Sequence, residues 1–262
     1  MDPVLEELEF LALSTNRVDV LRLLAAEPHT RRELGSETGA SQPTLGRILQ
    51  DFEERNWIAR TAAGYEATAT GRLVADGMSE FYELMETEQK LRELVEWLPT
   101  AELTFDLRAL RSATITVPSQ TRPGAPVGRI VDLVRDAEQV TVLSHAFNDR
   151  MLEAVTEWVA AGGEFEAVFS ADAIEPVRND AALADLLGRL ADAESANLRV
   201  YDGPVPLAVT LTDSVVSLLL RDDNGRLQAA VDTDSPEVTD WARDVYGRYR
   251  GDSRPLTSEM LD

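Results

Sequence analysis

Hydrophobic positions keep a helical rhythm along the first third of the chain and alternate between strand and helix rhythms along the rest. Val18, Leu21, Leu23 and Leu24 form an apolar helical face that stops before Pro28. Thr30 followed by Glu33 fits a capping box opening the next helix. Leu34, Leu45 and Ile48 then fall where the inward faces of two crossing helices would place them. Gly35 permits close approach of those helices, and Gly39 suits the left-handed backbone of a tight turn. Ser41 offers an N-cap, and Pro43 sits in the first helical turn, where its missing N–H is not needed. Residues 31–49 therefore read as a helix-turn-helix with Ser41, Gln42, Thr44 and Arg47 left to face outward.

Residues 57–60 read as a strand, 61–64 as a turn and 65–68 as the returning strand, which makes a wing. From Thr70 to Leu98 there is no proline and the residues are strong helix formers, so one long helix is expected. Phe81, Leu84, Leu91, Val95 and Leu98 lie at coiled-coil spacing along it, with Glu88 breaking the seam. Such a helix either packs on its own domain or pairs with a second copy, and a regulator that reads two half-sites requires the pairing.

Beyond a strand at 114–117 and a loop rich in turn formers at 118–126, the pattern changes. Helical stretches at 130–135, 151–160 and 180–191 alternate with strands at 139–144, 164–169 and 197–201, which calls for a mostly parallel sheet covered by helices. Strands at 207–212, 215–220 and 227–231, with turns at Asp213-Ser214 and Asn224-Gly225, add an antiparallel extension. Ser235-Pro236-Glu237 caps a last helix running to about Tyr249. The expected fold is α+β. A winged helix-turn-helix domain (1–77) is joined by a linker or dimerisation helix (78–99) to an α/β mixed-sheet domain (100–262) that senses a ligand or holds a dimer.

Charge complicates a DNA-binding reading. The 262 residues carry a net charge of −22, and duplex affinity comes largely from cations neutralising phosphates. Residues 14–77, however, hold eight arginines against nine acids, so most of the acidity lies in 78–262. Only Lys90 among the 25 basic residues is a lysine, and there is no cysteine. That composition resembles a cytoplasmic protein of a salt-accumulating, halophilic archaeon. In molar salt the Debye length is about 3 Å, which screens repulsion between an acidic body and DNA beyond immediate contacts. No apolar run approaches the ~20 residues of a membrane span and the N-terminus is acidic, so a cytoplasmic protein without membrane attachment is expected.

The run 34–71, closing in Tyr65-Glu66-Ala67-Thr68-Ala69-Thr70-Gly71, resembles the winged-helix regulators of archaea, in which a Tyr-x-x-Thr-x-x-Gly signature ends the wing. By domain order and strand pattern, residues 120–250 resemble the sensor domains of TrmB-like and methanogenesis regulators, some of which share the phospholipase D fold. That fold's active site needs His-x-Lys and a following Asp. Here Ala146-Phe147 follow His145 and the lone lysine is Lys90, so the resemblance implies no catalytic site. Dinucleotide, P-loop and nucleophile-elbow motifs are absent from the sequence, and neither a cofactor nor a metal is expected. Asp222-Asp223 reads as a solvated pair in a turn.

Expected partners are double-stranded DNA, a second copy of the chain and a small-molecule effector. Gln42, Thr44 and Arg47 would read base edges, while Arg31, Arg32, Ser41, Arg60 and Thr61 would contact phosphates. An effector would meet polar groups at the carboxyl ends of strands: Ser144, His145 and Asn148 after the first, Asp172 after the second, Asp202 after the third. The alternative is a protein-interaction or metabolite-binding module whose winged helix does not bind DNA.

Overall fold

A computed structural model describes residues 2–222 and 225–261, which form two compact units, 1–86 and 87–262. Asn224 of the expected Asn224-Gly225 turn and Asp223 of the acidic pair lie outside the described residues.

In the first unit, α1 (Pro3–Ala12) precedes α2 (Thr15–Ala26), α3 (Arg31–Thr38) and α4 (Gln42–Glu54). Leu34 and Leu45 are fully buried and Ile48 nearly so, each contributing about 1.5–3 kcal/mol of apolar burial. Thr30 and Glu33 form the reciprocal capping box, and Ser41 caps α4. Gly39 has φ 69°, the left-handed conformation that ends α3 and turns the chain. The wing is the antiparallel pair β1 (Ile58–Thr61) and β2 (Gly64–Ala67), with Tyr65 also exchanging two backbone hydrogen bonds with His29. A side chain on Gly64 would overlap the His29 carbonyl, so glycine is required for that third edge.

The long helix is shorter than expected. α5 runs Ala69–Arg92, after which the Leu94 N–H bonds the Leu91 carbonyl at 2.9 Å and the chain tightens into turns. Those turns bury Leu94 and Leu98 beside Leu91 in the core of the second unit, while Phe81, Leu84 and Val95 of the same seam stay exposed. A single heptad stripe cannot describe residues that serve different cores.

The second unit is one eight-stranded mixed sheet. Its elements are β3 (Thr114–Thr116), α6 (Ala125–Arg135), β4 (Gln139–Ser144), α7 (Asp149–Ala160), β5 (Glu164–Ser170), α8 (Ala171–Arg178), α9 (Ala181–Ala191) and β6 (Ala196–Tyr201). They continue with β7 (Ala208–Thr212), β8 (Val216–Arg221), β9 (Leu227–Thr233), α10 (Pro236–Gly251) and β10 (Arg254–Pro255). The strand order is β10-β6-β5-β4-β7-β8-β9-β3, with parallel pairing only along β6-β5-β4. The sheet is thus mostly antiparallel, because the three consecutive strands β7, β8 and β9 connect by short turns that only antiparallel pairs allow. One face packs on α6, α7, α8 and α9, and the other on α10 and the segment 91–113. Phe105 and Trp241 meet edge-on at 5.1 Å on the second face. Pro126, expected in the loop before α6, sits instead in that helix's first turn, where proline costs no hydrogen bond.

Candidate nucleic-acid interface and sensor crevice

The local sequence around the wing fixes how α4 is presented. Thr68 donates its hydroxyl to the Asn56 carbonyl at 2.7 Å and accepts the Gly71 N–H at 3.1 Å, which latches the end of the wing to the start of α5. A Cβ on Gly71 would overlap the Trp57 carbonyl oxygen, so the helix can approach β1 this closely only as glycine. In the Tyr-x-x-Thr-x-x-Gly signature, Tyr65 therefore pairs with His29, Thr68 is the latch and Gly71 is the clearance.

The eight residues expected to meet DNA divide by what already holds them. Arg31 lays its guanidinium across Gly46 and donates to the Gln42 carbonyl, which clamps α3 to α4. Gln42 turns its amide back toward the Arg31 carbonyl over Gly35. Ser41 and Thr44 share a hydroxyl hydrogen bond of 2.8 Å at the helix start, and Thr61 bonds within the wing turn. Arg60 makes two hydrogen bonds to Glu53, at 2.7 and 3.2 Å, and that carboxylate holds its pKa above the usual arginine range. Arg32 and Arg47 are exposed with no side-chain partner among the described residues. Thr44, Arg47 and Gln50 occupy one exposed face of α4. Gln50 lies just past Leu49, where the helix-turn-helix spacing ends, and its amide donates to Glu54 at 3.0 Å.

In the second unit, Ser144 and Asn148 come together at the carboxyl end of β4. Ser144 is buried, donating to the Ala146 carbonyl at 2.8 Å, and Asn148 caps α7 through a 3.2 Å bond from the Met151 N–H. Both border two small adjoining cavities, of about 20 and 30 Å³. His145 is half-buried and borders neither cavity, its Nδ1 enclosed without a hydrogen-bond partner, and burial followed by the charge of Arg221 lowers its pKa. Asp172 is exposed in the first turn of α8, and Asp202 is exposed at the end of β6, paired with Arg254 at 3.3 Å. Neither borders the cavities that Ser144 and Asn148 share. Arg221 does border the smaller one, and sequence reasoning missed it because it lies at the far end of an antiparallel strand. Among the described residues no group of three or more His, Asp or Glu side chains is arranged to hold a metal ion.

Two family models match the chain. Residues 5–90 match the HVO_A0261 N-terminal domain, and residues 123–252 match the middle domain of the methanogenesis regulatory protein FilR1. The chain thus carries an HVO_A0261-type N-terminal domain followed by a FilR1-type middle domain. Among solved structures it resembles TrmBL2, described as an archaeal chromatin protein with a novel mode of DNA binding, at 14% identity and TM-score 0.44 over 95% of this chain and 96% of that one. It also resembles two proteins over 55% of its length. They are the phospholipase D family member Nuc from Salmonella typhimurium (13% identity, TM-score 0.45, 99% of that chain) and NucT from Helicobacter pylori (14%, 0.45, 98%). No curated protein sequence matches. Among the described residues no helix is long and apolar enough to cross a membrane. The HVO_A0261-type domain contains α4 and the wing, and the FilR1-type domain contains the crevice at β4.

Proposed function

We propose that this methanogenesis-regulator-like chain is a homodimeric, sequence-specific DNA-binding transcriptional regulator, modulated by a small metabolite at the FilR1-type domain, and not an enzyme. The observation that carries the reading is Arg47, exposed and without a side-chain partner among the described residues at the centre of the outward face of α4, in a domain with both its helix-turn-helix and its wing. Arg suits guanine O6 and N7, and Thr44 and Gln50 flank it on the same face. Arg32 is the free cation suited to a phosphate, whereas Arg60 reaches one only by leaving Glu53. Halophilic, cytoplasmic origin fits the acidic, lysine-poor composition.

Genome-wide crosslinking with the native protein should give sharp promoter peaks. On an operator taken from those peaks, Arg47→Ala should lose about 1–3 kcal/mol of affinity and relax preference at one base position. An unaltered affinity at working salt would remove Arg47 from the base-reading set. Absence of peaks would favour the interaction-module reading, which gains from the internal engagement of Arg31 and Arg60.

A further inference from the structure

We infer that the crevice at the head of β4 receives a small organic acid, a carboxylate with a short apolar tail, held by Arg221. This names the ligand class for the effector reading above and rests on that reading. Parallel pairing in the sheet stops at β4, which meets β7 antiparallel, and ligands of open α/β sheets sit outside the carboxyl ends of such strands. Arg221, the last residue of β8, lines the smaller cavity together with Leu219, Ile130 of α6 and Met151 of α7.

Its Nη1 donates to the Gly225 carbonyl at 2.8 Å, but its Nε is enclosed without a partner. Burial lowers its pKa. An enclosed donor left without a partner is costly, and an anion on the guanidinium satisfies Nε. His145, which follows Ser144, feels the charge of Arg221 but borders neither cavity. Asn148 commits its oxygen to the cap of the twelve-residue α7, leaving its NH₂ to donate at the positive end of that helix.

Size and lining choose among anions. The cavities share Val142, Ala146 and Met151, and the larger continues against Phe147 and Phe169, so a tail beyond the anionic group meets apolar walls. At about 20 and 30 Å³ each exceeds the roughly 10–15 Å³ that one water needs, yet both fall far below the ~300 Å³ of ordinary ligand pockets. That excludes nucleotides and sugar phosphates from this form and gives a bare phosphate no use for the apolar wall. A wider groove of about 550 Å³ near the start of α10 shows no comparable deficit, since Arg108 there is already held by Asp106.

The test is calorimetric titration of the full chain at constant potassium chloride with acetate, propionate, isobutyrate, propionamide and inorganic phosphate. Saturable binding of a monocarboxylate is expected, at least about tenfold tighter than the neutral amide and weakened at least about tenfold by Arg221→Gln. No saturable binding of any acid, tighter binding of phosphate than of every carboxylate, or equal affinity in Arg221→Gln would overturn the assignment. Should that variant lose its fold by circular dichroism, Arg221→Lys keeps the charge and removes the forked donors; undiminished affinity there has the same force. Operator affinity measured with the same acids separates the two readings. An acid that binds without altering DNA affinity removes the effector role and leaves the site. A different compound that alters DNA affinity while no acid binds removes the site and leaves the effector role.

Discussion

Gly71 and His145 show how single residues constrain the two units. Gly71→Ala places a methyl group into the Trp57 carbonyl oxygen, a backbone atom that cannot rotate away, so the wing or α5 must shift. We expect a loss of roughly 3 kcal/mol, measurable as a lowered urea midpoint at unchanged slope. A shift below a few tenths of a kcal/mol would mean that the two elements give way freely. His145 acts through protons. Burial and Arg221 lower its pKa in the fold, so below about 6.5 the unfolded imidazole takes up a proton that the folded one resists. The unfolded state then binds more protons, and stability falls as pH drops through 6.5 and is fully present above it. His145→Gln should flatten the pH dependence of the melting temperature between 5 and 7; an unchanged slope would assign that dependence elsewhere. Neither effect was fully legible in the sequence. The requirement for Gly71 could be inferred from the wing signature, whereas the burial of His145 and the charge it feels from Arg221, 76 positions along the chain, arise only in the fold.

Elements differ in how far local chemistry specifies them. The α3–α4 turn was readable because each feature has a local cause: a capping box, a left-handed glycine and a serine cap. α8 was not, since Pro176 lies inside it and local rules read proline as a break; burial of Ala173, Ile174 and Val177 against the sheet holds it despite that. β10 has two residues and pairs with β6 at the sheet edge, too short to carry a periodicity. α5 lies between these cases. Its seam splits because Leu91 and Leu98 serve the core of the second unit, but Leu73, Phe81 and Leu84 remain exposed along one face of the helix within the first. Glu88, bonded twice to Arg92 one turn on, marks where the apolar stripe ends. In the proposed dimer this stripe is the expected contact. Phe81→Glu with Leu84→Glu should convert a dimer to a monomer in light scattering and weaken operator binding at least tenfold, with little change in helical content. A dimer that survives both substitutions would place the two-fold contact in the second unit.

Across the whole chain, charge decides how affinity depends on salt. A net charge of −22 opposes approach to DNA at low ionic strength, and in molar salt that opposition is confined to about 3 Å. What remains favourable is local. With Arg31 and Arg60 engaged internally, Arg32 and Arg47 are the free cations contributed by α3 and α4. With Arg47 reading a base, a dimer placing Arg32 of each protomer against a phosphate would release few counterions, giving a slope of about −2 for log affinity against log salt. Fluorescence anisotropy on a defined operator between 0.5 and 3 M potassium chloride measures that slope. A value near −10 would require many more phosphate contacts than these two helices offer, and would recruit Arg60 at the expense of its pairing with Glu53. The two cases separate through Glu53→Gln, which frees Arg60. If the slope is shallow in the native protein, this substitution should steepen it by about 2, one phosphate from each protomer. If Arg60 already contacts DNA, the slope should stay as it is. A shallow slope left unchanged by Glu53→Gln would mean that the wing stands off the phosphates, and specificity would then rest on α4 alone.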